Sequence, residues 1–271
     1  MKLSQGLLAF GILLSTSLMG ATQNLPSQPP SNPATASSTF SPEQTTQIEQ
    51  IVHHYLVQHP EVLVEASETL RQQEVAKEQA RGVQGAQKNI DALFGPGNAL
   101  IGGNPKGTTT LVEFFDYQCM HCRDMATTIE DLTKSHPDLR VVFKDFPIYG
   151  PASMAAVSAT FAANKQNKYY EFHNALLTSG EPLTQKTILS IAKKQGLNTD
   201  LLQKDMRSQD AALKSMITDN FKLVQALGLI GTPAFVLAKT DIVNDPKLPI
   251  EFFPGAVPKE ALDNAINKLS Q

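Results

Sequence analysis

The chain has 271 residues, a formal net charge of −3 and only two cysteines. Its lysines and arginines are scattered, which argues against nucleic acid or an anionic membrane surface as a partner. The length is enough to bury a full core without disulfides, and cysteines three positions apart close almost no loop, so the pair points to chemistry rather than stability.

Met1-Lys2 precedes an apolar run from Leu7 to about Met19, and Gly20 and Ala21 follow. This pattern predicts a signal peptide over residues 1–20. An uncleaved anchor is the alternative, but the apolar core is shorter than the ~20 residues a spanning helix needs. Export implies an oxidising compartment such as the periplasm. Residues 21–40, rich in Pro, Ser, Thr, Asn and Gln, predict a disordered linker.

Ser41-Pro42-Glu43-Gln44 has the form of a capping box with proline at the first helical position. Ile48, Ile51, Val52, Tyr55 and Leu56 then place an apolar stripe on one helix face. His59-Pro60 ends that helix, and a second one begins, with Val62, Leu63, Ala66 and Leu70 as its early stripe. From Arg71 to Lys88 the pattern is polar, with small apolar positions only, and reads as a stalk. Two striped helices are too small to bury their own faces. Residues 41–96 are therefore expected to form an α-helical N-terminal oligomerisation region that associates with the same segment of another copy. Docking onto the chain's own second domain is the alternative. His53, His54 and His59 read as surface or subunit-contact residues.

Gly95-Pro96-Gly97 breaks the stalk, and a second domain is expected over 97–271. Thr109–Phe115 and Leu139–Phe143 read as strands, with a helix from Arg123 to Lys134 between them. Four helical stretches follow in an insertion at about 151–227: Ala152–Gln166, Tyr169–Leu177, Thr184–Gln195 and Asp200–Leu227. Thr184 and Asn198 are candidate caps. Ala234–Ala238 and Ile250–Phe253 read as a closing pair of strands and Lys259–Leu269 as a terminal helix. The order describes an α/β, thioredoxin-like sheet with a helical insertion.

Cys119-Met120-His121-Cys122 lies between the first strand and its helix. A cysteine at a helix N-terminus meets unpaired backbone N–H groups and the positive end of the helix dipole, both of which favour thiolate. Cys119 is the candidate nucleophile and Cys122, one turn inward, the resolving thiol. His121, inside the loop, is expected to lower the thiol pKa further through its partial positive charge. Gly231-Thr232-Pro233 precedes a strand and, beside a dithiol, favours a cis Thr232–Pro233 bond whose preceding backbone pairs with an extended substrate. Met120, Thr232 and Pro233 are the expected substrate contacts. Glu113 and Lys144, in neighbouring strands, are expected to form a buried proton relay to Cys122 in which Lys144 tunes Glu113. A closed zinc site needs four ligands and the chain has no second Cys-x-x-Cys half, while Arg123 after Cys122 excludes covalent haem.

Three segments together resemble the DsbA-like thiol:disulfide oxidoreductases of the thioredoxin superfamily. They are Val112-Glu113-Phe114-Phe115-Asp116-Tyr117-Gln118-Cys119-Met120-His121-Cys122, Phe143-Lys144-Asp145-Phe146-Pro147 and Gly231-Thr232-Pro233-Ala234-Phe235. The resemblance covers about residues 98–271. His59-Pro60-Glu61-Val62 is similar to members with an N-terminal helical oligomerisation extension. The resemblance implies an active site of Cys119, Cys122, His121, Thr232 and cis-Pro233 in a periplasmic or surface homo-oligomer, a dimer by preference, with no cofactor and no resident metal. The implied activity introduces or isomerises disulfides in unfolded or wrongly bonded secreted proteins, with a membrane redox partner, an oxidase or a reductase, to return the pair to its working state. The best-known oxidants of the family have proline where Met120 stands, which leaves the net direction open. Readings of a different class are a non-enzymatic chaperone or surface antigen and a soft-metal (copper) binding protein.

Overall fold

The computed structural model describes residues 40–97, 100–208 and 210–270. The expected signal peptide, and the expected linker up to residue 39, lie outside them. The chain divides into two compact units between Val62 and Leu63.

The first unit holds α1, Pro42–Gln58. Its start is set by a reciprocal cap: the Gln44 N–H donates to Ser41 Oγ at 3.3 Å and the Ser41 N–H to Gln44 Oε1 at 2.8 Å. No residue of α1 is buried, and the stripe of Ile48, Ile51, Val52 and Tyr55 lies open, Ile51 at 68% exposure.

In the second unit a five-stranded sheet has the order β1-β3-β2-β4-β5 among the described residues. The strands are β1 Leu100–Gly103, β2 Thr109–Phe115, β3 Leu139–Asp145, β4 Ala234–Lys239 and β5 Ile250–Phe253. β2 and β3 run parallel, and the other neighbours pair antiparallel. β2 is central and buried along its whole length, which is why it reads as an unbroken apolar run. Alternation then separates two cores. Leu111, Phe115, Val141 and Phe143 pack with α4 (Met120–Ser135), the helical insertion and the terminal helix Lys259–Ser270. Val112, Phe114 and Val142 face the other way.

The insertion comprises α5 Pro151–Asn164, α6 Tyr169–Leu177, α7 Gln185–Lys194, α8 Thr199–Arg207 and α9 Ala211–Leu227. Thr184 Oγ1 accepts the Thr187 N–H and Asn198 Oδ1 the Leu201 N–H, so both expected caps are present. The single helix expected over 200–227 is two helices. Asp210 caps the second by accepting the Ala212 N–H at 2.8 Å and is paired with Lys165 at 2.6 Å. Such a local side-chain bond competes with helix continuation.

The second helix of the chain, α2, runs Glu61–Gln87. Its polar stretch is not stalk to the end. Gly82, Gly85 and Ala86 are buried, and a short helix α3, Ile90–Phe94, fills the second core with Ile90, Leu93 and Phe94. The unit that carries the dithiol thus begins within α2 rather than at residue 97. Two glycines permit this docking. A Cβ on Gly82 would meet the Phe252 ring at 2.3 Å, and one on Gly85 the Ala226 carbonyl oxygen at 2.4 Å. Gly85→Ala, despite a helix-propensity gain of about 1 kcal/mol, is expected to destabilise the protein by about 1–2 kcal/mol because backbone cannot yield. Urea denaturation midpoints of the two proteins check this.

Candidate active site

Cys119 is the N-cap residue of α4, with extended backbone (φ −71°, ψ 119°). Its N–H donates to the Asp116 carbonyl at 3.1 Å, and its own carbonyl accepts the Arg123 N–H at 3.1 Å. The thiol is therefore held where the first turn of the helix presents free N–H groups. Cys119 and Cys122 are both free thiols and both buried; Cys119 keeps 3% exposure and Cys122 none. Met120, which follows Cys119 in the chain, is 67% exposed, and His121 is exposed.

The Thr232–Pro233 bond is cis. It brings the Thr232 carbonyl oxygen opposite Cys119, whose Sγ–H donates to it at 3.2 Å. The buried Thr232 hydroxyl has no hydrogen-bond partner while Cys119 is a thiol, and it favours the thiolate. Donation from the Cys122 thiol acts most strongly on Cys119. Burial opposes it. The Thr232 hydroxyl and the backbone N–H groups of Cys122 and His121 then add to the lowering, bringing Cys119 to about 5. His121 acts on Cys119 through its backbone N–H. Cys122 is pushed strongly up, first by its bond to Cys119, then by burial and by Glu113. The pair's charge rests on Cys119 and its proton on Cys122.

Glu113 lies beneath the pair at 1% exposure. Burial, then the Cys119 thiolate, raises it to about 8, and Oε1 has no hydrogen-bond partner. A neutral, unpaired acid near an emerging thiolate can supply a proton. Lys144 does not join it. In the β2–β3 register Glu113 sits opposite Phe143 and Lys144 opposite Phe114. Glu113 therefore shares the face of Leu111 and Phe115, and Lys144 the opposite face, where it lines a cavity of about 330 Å³ with Asn89, Asp91 and Asp219. The expected pairing of Glu113 with Lys144 is therefore corrected: the two side chains lie on opposite faces of the sheet.

Two acids escaped the sequence reading. Asp145 is fully buried on the Glu113 side, and neither carboxylate oxygen has a hydrogen-bond partner. Burial, then the charge of Asp116, raises it to about 8. Asp116 is buried too, but its oxygens accept from the N–H groups of Gln118, Ile148 and Tyr149 and from Ser153 Oγ. Its place three residues before Cys119, as a turn-forming Asp, was the available signal. Below them the Tyr117 hydroxyl meets His173 Nδ1 at 2.8 Å, and burial lowers His173 to about 3, leaving it neutral.

The family of DSBA-like thioredoxin domains matches residues 110–267, which include the dithiol, Glu113 and Thr232-Pro233. The chain belongs to the DsbA-like thioredoxin family. The N-terminal domain of the copper resistance protein ScsC matches residues 44–77. Among solved structures, this DsbA-like chain is similar to BcfH of Salmonella enterica Typhimurium, with 31% identity and a TM-score of 0.64, covering 84% of this chain and 97% of that one. It is also similar to a thioredoxin-like oxidoreductase of Silicibacter pomeroyi, with 35% identity and a TM-score of 0.58, covering 66% and 96%. Over 161 residues it is 24% identical to a sodium/proton antiporter NhaA 3 of Salinispora tropica, which is 58% of this chain but only 24% of the antiporter's length. The free Cys119–Cys122 pair and the cis Thr232–Pro233 bond both lie within the segment that the family matches.

Proposed function

We propose that the chain is an exported thiol:disulfide oxidoreductase that introduces or isomerises disulfides in secreted proteins. The observation that carries the reading is Cys119 at the start of α4, lowered to about 5 and facing the Thr232 carbonyl. As an oxidase, a client thiolate attacks Cys119 of the Cys119–Cys122 disulfide, and Cys122 leaves and takes a proton from Glu113. A second client thiolate then releases Cys119. As an isomerase, reduced Cys119 attacks a wrong disulfide and is later expelled. The amino-terminal pattern supports export to the periplasm, and a membrane redox partner returns the pair to its working state, reoxidising it to the disulfide for the oxidase or keeping it reduced for the isomerase.

The reduction potential, from equilibration in glutathione buffers, tests the direction. A value near about −120 mV would place the protein with strong oxidants. One near about −270 mV, as in thioredoxin, would make the dithiol an electron donor and rule out the oxidase.

The open α1 stripe supports self-association, with a homodimer favoured. Ile51→Asp combined with Tyr55→Asp is expected to yield a monomer by light scattering. An unchanged mass would remove α1 from the interface. A copper reading has one specific support, the description of the family matching residues 44–77. It requires stoichiometric copper(I) on the purified reduced protein, held by Cys119 and Cys122.

A further inference from the structure

The loop after β3 brings a tyrosine to the dithiol, and Asp116 fixes it there. Asp116 Oδ2 accepts from the N–H groups of Ile148 at 2.7 Å and Tyr149 at 3.1 Å. Its Oδ1 accepts from the Gln118 N–H and from Ser153 Oγ, each at 2.7 Å. Its carbonyl accepts the Cys119 N–H. One buried carboxylate therefore ties the Tyr149 backbone to the turn that presents Cys119, and charge-assisted bonds of this kind are the strong ones. Gly150, at φ 89°, then turns the chain into α5. The Tyr149 ring is 55% exposed, and the phenol is near enough to the dithiol to feel a charge on Cys119.

We propose that Tyr149 is a catalytic residue whose phenol donates a hydrogen bond to Cys119 sulfur as that sulfur leaves a mixed disulfide. The proposal rests on the exchange reading above. In that step a client thiolate attacks the client sulfur bonded to Cys119. A disulfide forms within the client, the bond to Cys119 breaks, and its electron pair stays on Cys119 sulfur. Tyr149 keeps its proton and shares it with the new thiolate. The neighbouring thiolate charge, then burial, then the hydrogen bond itself hold the phenol proton more tightly than usual. Tyr149 is thus still a donor at neutral pH, where Cys119 is charged. The Thr232 and Cys122 groups act on the same sulfur from buried positions. Tyr149 acts at the exposed surface, where a client must arrive and depart.

Tyr149→Phe in the full chain keeps the ring, and so any client contact it makes, and removes only the hydroxyl. Two readouts follow: the pH dependence of Cys119 alkylation, and the equilibrium constant for reduction of the Cys119–Cys122 disulfide by glutathione. The alkylation midpoint is expected to rise, and the equilibrium constant to fall by about threefold to tenfold, the range of one hydrogen bond. A purely structural or client-contact role would move neither. If the wild type exchanges with glutathione and Tyr149→Phe matches it in both readouts, the Tyr149 assignment fails alone. If wild-type Cys119 titrates as an ordinary thiol and does not exchange, both this assignment and the exchange reading fail.

Discussion

Cys119→Ser is expected to abolish thiol–disulfide exchange, with a loss of at least about a thousandfold. Cys119 is the cysteine whose charge the fold stabilises, and Cys122 cannot replace it. Cys122 is fully buried and its pKa is driven up by its bond to Cys119, by burial and by Glu113. The companion change, Cys122→Ser, is expected to do something different. Cys119 keeps its helix N-terminus and its Thr232 contact, so it still attacks client disulfides. The resolving thiol is gone, so mixed disulfides accumulate. Non-reducing gels of each variant after incubation with a disulfide-bonded client check both outcomes. Trapping by Cys119→Ser rather than by Cys122→Ser would reverse the assignment of the two roles.

Glu113→Gln is expected to slow exchange by roughly tenfold to a hundredfold, because Cys122 loses its buried proton donor as it leaves. The same substitution should stabilise the fold at alkaline pH. Glu113 has an ordinary value of 4.5 and is raised to about 8 in the folded protein. Between those values the folded chain holds a proton that the unfolded chain has released. Its contribution to stability is therefore whole below about 4.5 and declines as pH rises through about 8. A glutamine stays neutral and avoids that decline, a stabilisation on the order of 4 kcal/mol near pH 8. Denaturation of reduced wild type and Glu113→Gln across this range, alongside exchange rates, separates the two effects. Stability curves that stay parallel across the range would contradict a raised Glu113 pKa, and equal exchange rates would remove Glu113 from the mechanism.

The dithiol and its surroundings were legible in the sequence wherever local pattern decides structure. The run Leu111–Phe115 specified a buried central strand, and Cys119 fell where a strand gives way to a helix. Ser41, Thr184 and Asn198 marked helix starts through side-chain chemistry that acts within three residues. Long-range register was not legible. Glu113 and Lys144 occupy adjacent strands, yet an offset of one residue in the β2–β3 pairing puts their side chains on opposite faces. The docking of α2 was hidden for a related reason. Gly82 and Gly85 weaken a helical pattern, and only contact with Phe252 and Ala226 explains them. β1 contains two glycines in four residues and lacks a strand signal of its own; β3 recruits it as an edge. Asp145 reads as a strand-end charge, and nothing nearby in the sequence announces that it is buried without a partner.

The proposed chemistry turns on the charge state of Cys119. The most direct measurement is the rate of iodoacetamide alkylation of Cys119 in the reduced protein as a function of pH, with Cys122 protected by its burial. A midpoint near 5 is expected from the helix N-terminus, the Cys122 thiol and the Thr232 hydroxyl acting together. A midpoint near about 8.5, that of a free cysteine, would mean that the fold does not hold Cys119 as a thiolate, and the redox reading of this site would fall with it.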